Sequence, residues 1–155
     1  MPNLDKLVII PTYNEKENIE KIIRKVISLQ GGFHVLVVDD GSPDGTAGIV
    51  KKLQESLAEE VHLVERSGKQ GLGTAYIFGF RWALQRGYQY IFEMDADFSH
   101  NPEDLLRLYD ACVQRADVAI GSRYVKGGRV VNWPCERIFT SKGGAFYPLL
   151  NNFKP

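Results

Sequence analysis

The stretch Tyr90–Pro102, YIFEMDADFSHNP, joins a short apolar run to two carboxylates one residue apart. The apolar run predicts a buried strand, and Asn101 followed by Pro102 predicts the start of a helix. On an extended chain, residues i and i+2 point to the same side, roughly 7 Å apart at about 3.3 Å per residue. Asp95 and Asp97 are therefore predicted to follow a buried strand and to face one cleft.

Two carboxylates in one cleft are candidate ligands for a single divalent cation. Mg²⁺ and similar ions keep several waters and take further ligands from substrate phosphates, so a nucleotide diphosphate is the expected ligand of this cleft. The alternative, for an Asp-x-Asp pair taken alone, is two solvated loop acids. The remainder of the chain has to decide between these two interpretations.

Other apolar runs alternate with helical patterns along the chain. Leu4–Ile10, Phe33–Val38 and Val61–Glu65 are predicted strands before Tyr90, and Ala116–Ile120 is a predicted fifth strand after it. Strands that alternate with helices indicate an α/β fold, here a Rossmann-like, mostly parallel sheet flanked by helices.

Polar residues after the strands suggest where the helices begin. Asn14 is a candidate N-cap for the first helix, and Ser42 followed by Pro43 predicts the start of the second. Gly87 is predicted to end the third helix.

Composition places the chain among globular domains. Its 155 residues suit one domain, and 19 basic and 19 acidic residues cancel, which gives no sign of a nucleic-acid-binding stripe. Two cysteines without metal spacing favour a reduced, cytoplasmic setting, with a disulfide as the alternative. No apolar run approaches the roughly 20 residues that cross a bilayer.

Ligands of an open parallel sheet bind outside the carboxyl ends of its strands. The unusual residues of this chain gather at those predicted ends: Pro11, Tyr13 and Glu15, then Asp39 and Asp40, then Asp95 and Asp97, and finally Arg123. Each of them taken singly could be an ordinary loop residue, but four such ends together favour a binding site.

The chemistry of these side chains suggests individual roles. Asp40 could accept hydrogen bonds from a base or a ribose, or it could be a helix-start acid, whereas Asp39 is predicted to be structural. Arg123 suits a bidentate grip on phosphate, or an exposed ion pair. The glycine-rich turn 66–74 matches neither the dinucleotide fingerprint nor the P-loop, although its Lys69 is a weak candidate for a phosphate contact.

Five motifs together resemble the polyprenol-phosphate (dolichol-phosphate) mannosyltransferases, a branch of the inverting glycosyltransferases with the GT-A fold. They are IIPTYNE at 9–15, VVDDGSPDGT at 37–46, MDADFSH at 94–100, GSRY at 121–124 and GGRVVNW at 127–133. The first four occur in family order, the fifth is more particular to this branch, and the resemblance covers residues 5 to about 135.

The resemblance implies transfer of mannose from GDP-mannose to a polyprenol phosphate, with inversion and with Mg²⁺ or Mn²⁺. It implies a nucleotide-sugar site made of Pro11, Tyr13, Glu15, Val38, Asp40, Asp95, Ala96, Asp97 and Arg123. Of these residues, Asp95, Asp97 and Arg123 would be catalytic. The metal ligands would be Asp95, Asp97 and Ser99, although some relatives carry glutamine at the position of Ser99.

The resemblance also sets expectations for domains and partners. Residues 1–135 would form the nucleotide-sugar-binding catalytic domain, and 136–155 would begin an acceptor-side region that is truncated here. The acceptor would lie at a membrane surface, with the protein peripheral to its cytoplasmic face, and a homo-oligomer is left open. The alternatives are a glucosyltransferase that uses UDP-glucose, another polysaccharide-building transferase, and a catalytically idle nucleotide-binding module.

Overall fold

A computed structural model describes residues 5–114 and 116–122 of the chain. Strands and helices alternate in the order β1 Lys6–Thr12, α1 Ile19–Ile27, β2 Phe33–Asp39, α2 Thr46–Gln54, β3 Val61–Glu65, α3 Leu72–Gln85, β4 Tyr90–Glu93 and α4 Asp104–Gln114. These elements belong to a compact unit, Met1–Ala119, and only residues 120–122 of the second unit, Ile120–Pro155, are described.

The four strands form one parallel sheet in the order β3-β2-β1-β4. β1 and β2 are the central strands, and their apolar residues are buried on both faces, as expected of a parallel sheet covered by helices. Helices α1, α2 and α4 pack on one face, and α3 packs on the other. The predicted α/β architecture is confirmed.

Helix α3 lies close to the sheet because its inward side carries small residues. Ala75, Gly79 and Ala83 are the buried positions of the helix. A Cβ atom at Gly79 would stand 2.7 Å from Ile9 Cγ2, so this contact requires glycine. Gly87, with φ of 81°, follows the end of α3 as predicted.

The predicted fifth strand is wrong. Residues 116–120 have irregular backbone, and Val118 and Ile120 are exposed. An apolar segment becomes a strand only when a neighbouring strand supplies hydrogen bonds, and among the described residues the sheet has four strands.

The first two helices begin later than predicted. Asn14 has a left-handed φ of 63° and its backbone N–H donates to Ser42 Oγ at 2.9 Å, so it lies in a turn, and α1 starts only at Ile19. The Ser42 hydroxyl is also engaged with β2, and α2 starts at Thr46 after Gly45. Both polar residues connect loops to each other instead of capping helices.

None of the described helices combines the length and apolar character needed to cross a bilayer.

Two histidines share a tyrosine hydroxyl near the amino ends of β2 and β3. The hydroxyl of Tyr88 lies 2.9 Å from Nδ1 of His34 and 3.3 Å from Nε2 of His62. Burial lowers the pKa of both imidazoles and raises the pKa of Tyr88 to about 12. The cluster therefore favours neutral histidines in the folded protein.

We expect this cluster to make stability depend on pH. Because the folded pKa values lie below the ordinary 6.5, the unfolded state binds protons more readily. The free energy of unfolding should be highest above pH 6.5 and fall as the pH drops below that value. Urea unfolding at about pH 7.5 and about pH 5.5 measures the difference.

Two variants identify the source of that pH dependence. His34→Gln should make the profile shallower and leave the part that comes from His62, whereas His100→Gln should leave it unchanged because His100 is an exposed loop residue outside the cluster. A wild-type profile that is already flat over this range would contradict the assignment.

Candidate functional site

The predicted site residues follow β1, β2 and β4 at one edge of the sheet. Because all strands are parallel, their carboxyl ends meet at this edge, with β2 and β4 on opposite sides of β1. Asp40 follows β2, and Asp95 and Asp97 follow β4. The topology thus brings three of the predicted acids to the same edge.

Asp39 has the structural role predicted for it. Its side chain is almost fully buried, accepts a hydrogen bond from Thr12 Oγ1 at 2.8 Å, and accepts two more from the backbone N–H and hydroxyl of Ser42. These bonds join the ends of β1 and β2, so Asp39 is part of the framework beneath the site.

The loop after β1 is tied to the loop before α2. The backbone N–H of Glu15 donates to Thr46 Oγ1 at 3.0 Å, and that of Lys16 donates to Asp44 Oδ2 at 3.1 Å. The Glu15 carboxylate accepts a hydrogen bond from Asn18 at the start of α1. The Glu15 side chain is therefore engaged with the residue before α1, while Tyr13 remains exposed.

Asp40 is buried against a cation that the sequence did not single out. Its carboxylate forms an ion pair with Arg66 and accepts a hydrogen bond from the backbone N–H of Gln70 at 3.1 Å. Arg66 also donates to Thr74 Oγ1 at 2.9 Å. The signal that could have identified Arg66 is its position directly after β3, at the same edge as Asp40.

The loop between β3 and α3 also reaches Tyr13, another residue of the predicted nucleotide-sugar site. Lys69 Nζ lies 4.8 Å from the centre of the Tyr13 ring, which is a cation–π distance. Together with the Arg66 and Gln70 contacts, this places the loop 66–71 against both Tyr13 and Asp40.

The two acids of the opening stretch lie in a turn, contrary to the extended-chain prediction. β4 ends at Glu93, and Ala96 and Asp97 have turn geometry. The hydroxyl of Tyr76 donates to Asp95 Oδ1 at 3.3 Å, whereas Asp97 Oδ1 accepts from the backbone N–H of Ser99 at 2.9 Å. The extended-strand argument fails because the pairing with β1 stops before the acids.

Each acid has its own electrostatic setting. The backbone N–H of Ser99 lowers the pKa of Asp97, so this exposed carboxylate is ionised at neutral pH. Burial, with the nearby Asp95 charge, raises the pKa of Tyr76, which therefore stays a hydrogen-bond donor. Within residues 5–114 and 116–122, neither Asp95 nor Asp97 forms an ion pair with a lysine or arginine.

These acids fit a hard divalent cation that takes its remaining ligands elsewhere. No group of three potential protein ligands occurs in the described part of the chain. Mg²⁺ commonly uses only one or two carboxylates and completes its shell with water and substrate phosphates. Two carboxylates with no lysine or arginine partner among the residues that the structure describes match that pattern.

The remaining predicted residues differ in what they can offer a ligand. The side chains of Val38 and Ala96 are buried, so only their backbone atoms could contact a nucleotide, whereas Pro11 is partly exposed. Ser99 is exposed beside Asp97. Arg123 lies outside the described residues.

Comparison with known sequences gives extensive matches. The family described as "Glycosyl transferase family 2" matches residues 7–154. The chain is 52% identical over 146 residues to the polyprenol monophosphomannose synthase of Mycolicibacterium smegmatis, covering 94% of this chain and 55% of that protein. It is 50% identical over 142 residues to the undecaprenyl-phosphate mannosyltransferase of Micrococcus luteus, covering 92% and 58% respectively. The chain thus spans a little over half the length of these curated relatives.

A solved structure shares the fold. The crystal structure of S. aureus TarS 1-349 has a TM-score of 0.55 over 79% of this chain and 40% of that chain, at 21% sequence identity. At this identity the likeness bears on the fold alone, and it agrees with a parallel sheet flanked by helices.

Proposed function

Since the chain belongs to glycosyl transferase family 2 and has a GT-A fold, we propose that the whole protein transfers mannose from GDP-mannose to a polyprenol phosphate, with inversion. The observation that carries this proposal is that Asp95 and Asp97, which have no lysine or arginine partner within residues 5–114 and 116–122, lie at the same edge of the sheet as the buried Asp40. Relatives 52% and 50% identical, named a polyprenol monophosphomannose synthase and an undecaprenyl-phosphate mannosyltransferase, support the choice of substrates.

The nucleoside half of the site would be formed by β1, β2 and the loop after β3. Asp40 would accept hydrogen bonds from the base or the ribose, and Arg66 would hold its carboxylate in place. The exposed ring of Tyr13 would pack against the nucleoside. Further contacts are assigned to Pro11, Glu15, Val38, Asp95, Ala96, Asp97 and Arg123.

The catalytic half would be formed by Asp95, Asp97 and Arg123. Asp95 and Asp97 would hold Mg²⁺ or Mn²⁺, with Ser99 as the third candidate ligand. When bound, that ion would supply charge neutralisation for the departing diphosphate. The acceptor phosphate is already an anion, so the protein needs no strong general base to activate it.

The chain's own residues would position charge around the reacting groups. Tyr76 holds Asp95 from α3, and the Ser99 backbone holds Asp97 in its turn. Arg123 would present two N–H groups to the leaving phosphates, a geometry that suits a planar guanidinium.

The acceptor side and the location of the protein belong to the same proposal. Residues 136–155 would begin the acceptor-side region after a catalytic part that ends near residue 135, and the polyprenol phosphate would be met at a membrane surface. We propose that the protein is cytoplasmic and associates peripherally with the cytoplasmic face of the membrane.

Isothermal titration of the chain with GDP and with UDP, each with and without Mn²⁺ or Mg²⁺, tests the proposal. We expect GDP to bind more tightly than UDP, and only with metal. Tighter binding of UDP would instead favour a glucosyltransferase or a polysaccharide-building enzyme. Equal binding without metal would favour an idle nucleotide-binding module, and transfer itself would be measured on the whole protein.

Tyr76→Phe should weaken metal-supported GDP binding by roughly tenfold, because it removes the hydrogen bond that orients Asp95. Calorimetric titration of GDP at fixed Mn²⁺ measures this change. Tyr88→Phe is the matched control, since it removes a tyrosine hydroxyl that bonds His34 near the opposite end of the sheet. Equal GDP affinities for the two variants would contradict a role for Tyr76 in the site.

A further inference from the structure

The segment from Arg66 to Phe92 has an unusual charge pattern for a chain with no net charge. It contains four cations, Arg66, Lys69, Arg81 and Arg86, and no acidic residue. This segment includes the whole of α3. Arg81 is the one charged residue of α3 itself, and Arg66 is paired with Asp40, so the exposed cations of the segment are Lys69, Arg81 and Arg86. Exposed cations without acids among them attract anionic surfaces.

The outward face of α3 is apolar. The exposed fractions of Ile77, Phe78 and Leu84 are 54%, 40% and 66%, and the exposed Arg81 lies on the same face. By contrast, the exposed side of α1 carries charged residues, including Glu20 and Arg24, as is usual for a helix that covers a sheet.

An open groove of about 300 Å³ continues this face toward the candidate site. It is lined by Arg66, Gln70, Thr74, Ile77, Phe78 and Arg81, with no acid among them. Arg66 is engaged with Asp40, so the groove adjoins the predicted nucleoside residues. The apolar face, its cation and the edge of the site are therefore continuous.

We propose that this face of α3 docks on a membrane surface that contains anionic lipid. Apolar side chains with arginine or lysine beside them are the residues by which an amphipathic helix lies in the lipid interface. Ile77, Phe78 and Leu84 enter the interface, while Arg81, with Lys69 and Arg86 near the helix ends, meets anionic headgroups.

Docking in this way explains why the face adjoins the site. The loop before α3 lies at the carboxyl edge of the sheet, so the surface that holds α3 also lies beside the opening where an acceptor phosphate would arrive. The docking does not depend on the nucleotide or sugar that the site takes.

Co-sedimentation of the full chain with lipid vesicles tests the proposal. We expect binding to vesicles of equal parts phosphatidylcholine and phosphatidylglycerol, weakened by added salt, and little binding to phosphatidylcholine alone. Ile77→Glu should lower the bound fraction by about tenfold. Val113→Glu is the matched control, because Val113 is 53% exposed on α4, which packs on the opposite face of the sheet.

Several results would overturn the proposal. They are no binding by the wild-type chain, equal binding by Ile77→Glu and Val113→Glu, and a dimer in analytical ultracentrifugation that Ile77→Glu dissociates. Circular dichroism checks the fold of each variant, and Arg81→Gln, which should also reduce binding, replaces Ile77→Glu if that variant is unfolded. GDP titration of the variants separates a failure of docking from a failure of the proposed function.

Discussion

Replacing Asp97 with alanine should abolish metal-supported binding of GDP and leave the fold intact. The exposed Asp97 carboxylate lies in the turn after β4 and accepts a hydrogen bond from the Ser99 backbone. Losing that bond should cost about 1 kcal/mol of unfolding free energy. Losing one of two carboxylates around a divalent ion should cost several kcal/mol, or about 100-fold or more in nucleotide affinity.

The experiment has two readouts and one control. GDP is titrated into the Asp97→Ala chain with and without Mn²⁺, and thermal unfolding is followed separately. Asp110→Ala removes an exposed acid from α4 and should change neither readout. Unchanged metal-dependent binding by an Asp97→Ala chain that still melts cooperatively would refute the proposed metal site.

The same substitution at Asp95 should have a similar effect on binding and a larger effect on stability. Asp95 and its partner Tyr76 are both half-buried, so removing the carboxylate leaves a partly buried hydroxyl without its acceptor. The comparison therefore separates the proposed metal-ligand role, which both acids would share, from the packing role, which belongs to Asp95.

The sheet could be predicted from the sequence because its pattern is strong. Strands such as β1 and β2, buried on both faces, appear as continuous apolar runs bounded by turn residues, and parallel pairing then follows from the helices between them. That topology alone predicts which strand ends meet, so the placement of Asp40 and Asp95 at one edge did not require coordinates.

Details that depend on contacts between loops could not be predicted. Asn14 and Ser42 have the composition of helix caps, yet they bond to each other across two loops. The apolar run 116–120 has the composition of a strand, but its backbone is irregular in the structure. Local sequence limits the conformations and contacts that a residue can adopt. Which of them occurs depends on a partner that lies far away in the chain.

Arg66 is the clearest example of such a distant partner. Two residues separated by 26 positions form an ion pair whose side chains are only 8% and 9% exposed. The sequence marked Asp40 as a ligand-binding acid or a helix-start acid, but nothing local indicates that a buried guanidinium neutralises it. The pairing became visible only through the adjacency of β2 and β3.

Arg66→Ala should therefore be strongly destabilising, by about 3 kcal/mol, because it leaves the Asp40 charge buried and without its cation. Lys51→Ala is the matched control. It breaks an exposed ion pair, in which the side chains of Lys51 and Glu65 are 57% and 48% exposed. The substitution should cost less than about 1 kcal/mol of unfolding free energy. Urea unfolding of the two variants measures both values.

A double variant shows whether the cost comes from the uncompensated charge. Asp40→Ala together with Arg66→Ala removes the charge as well as its partner, so it should lose less stability than the two single variants added together. Strict additivity would mean that solvent, and not Arg66, stabilises Asp40, and the loop 66–71 would then not be docked on β2. Non-additive losses of unfolding free energy would show that Arg66 fixes the position of the Asp40 carboxylate before any nucleotide binds.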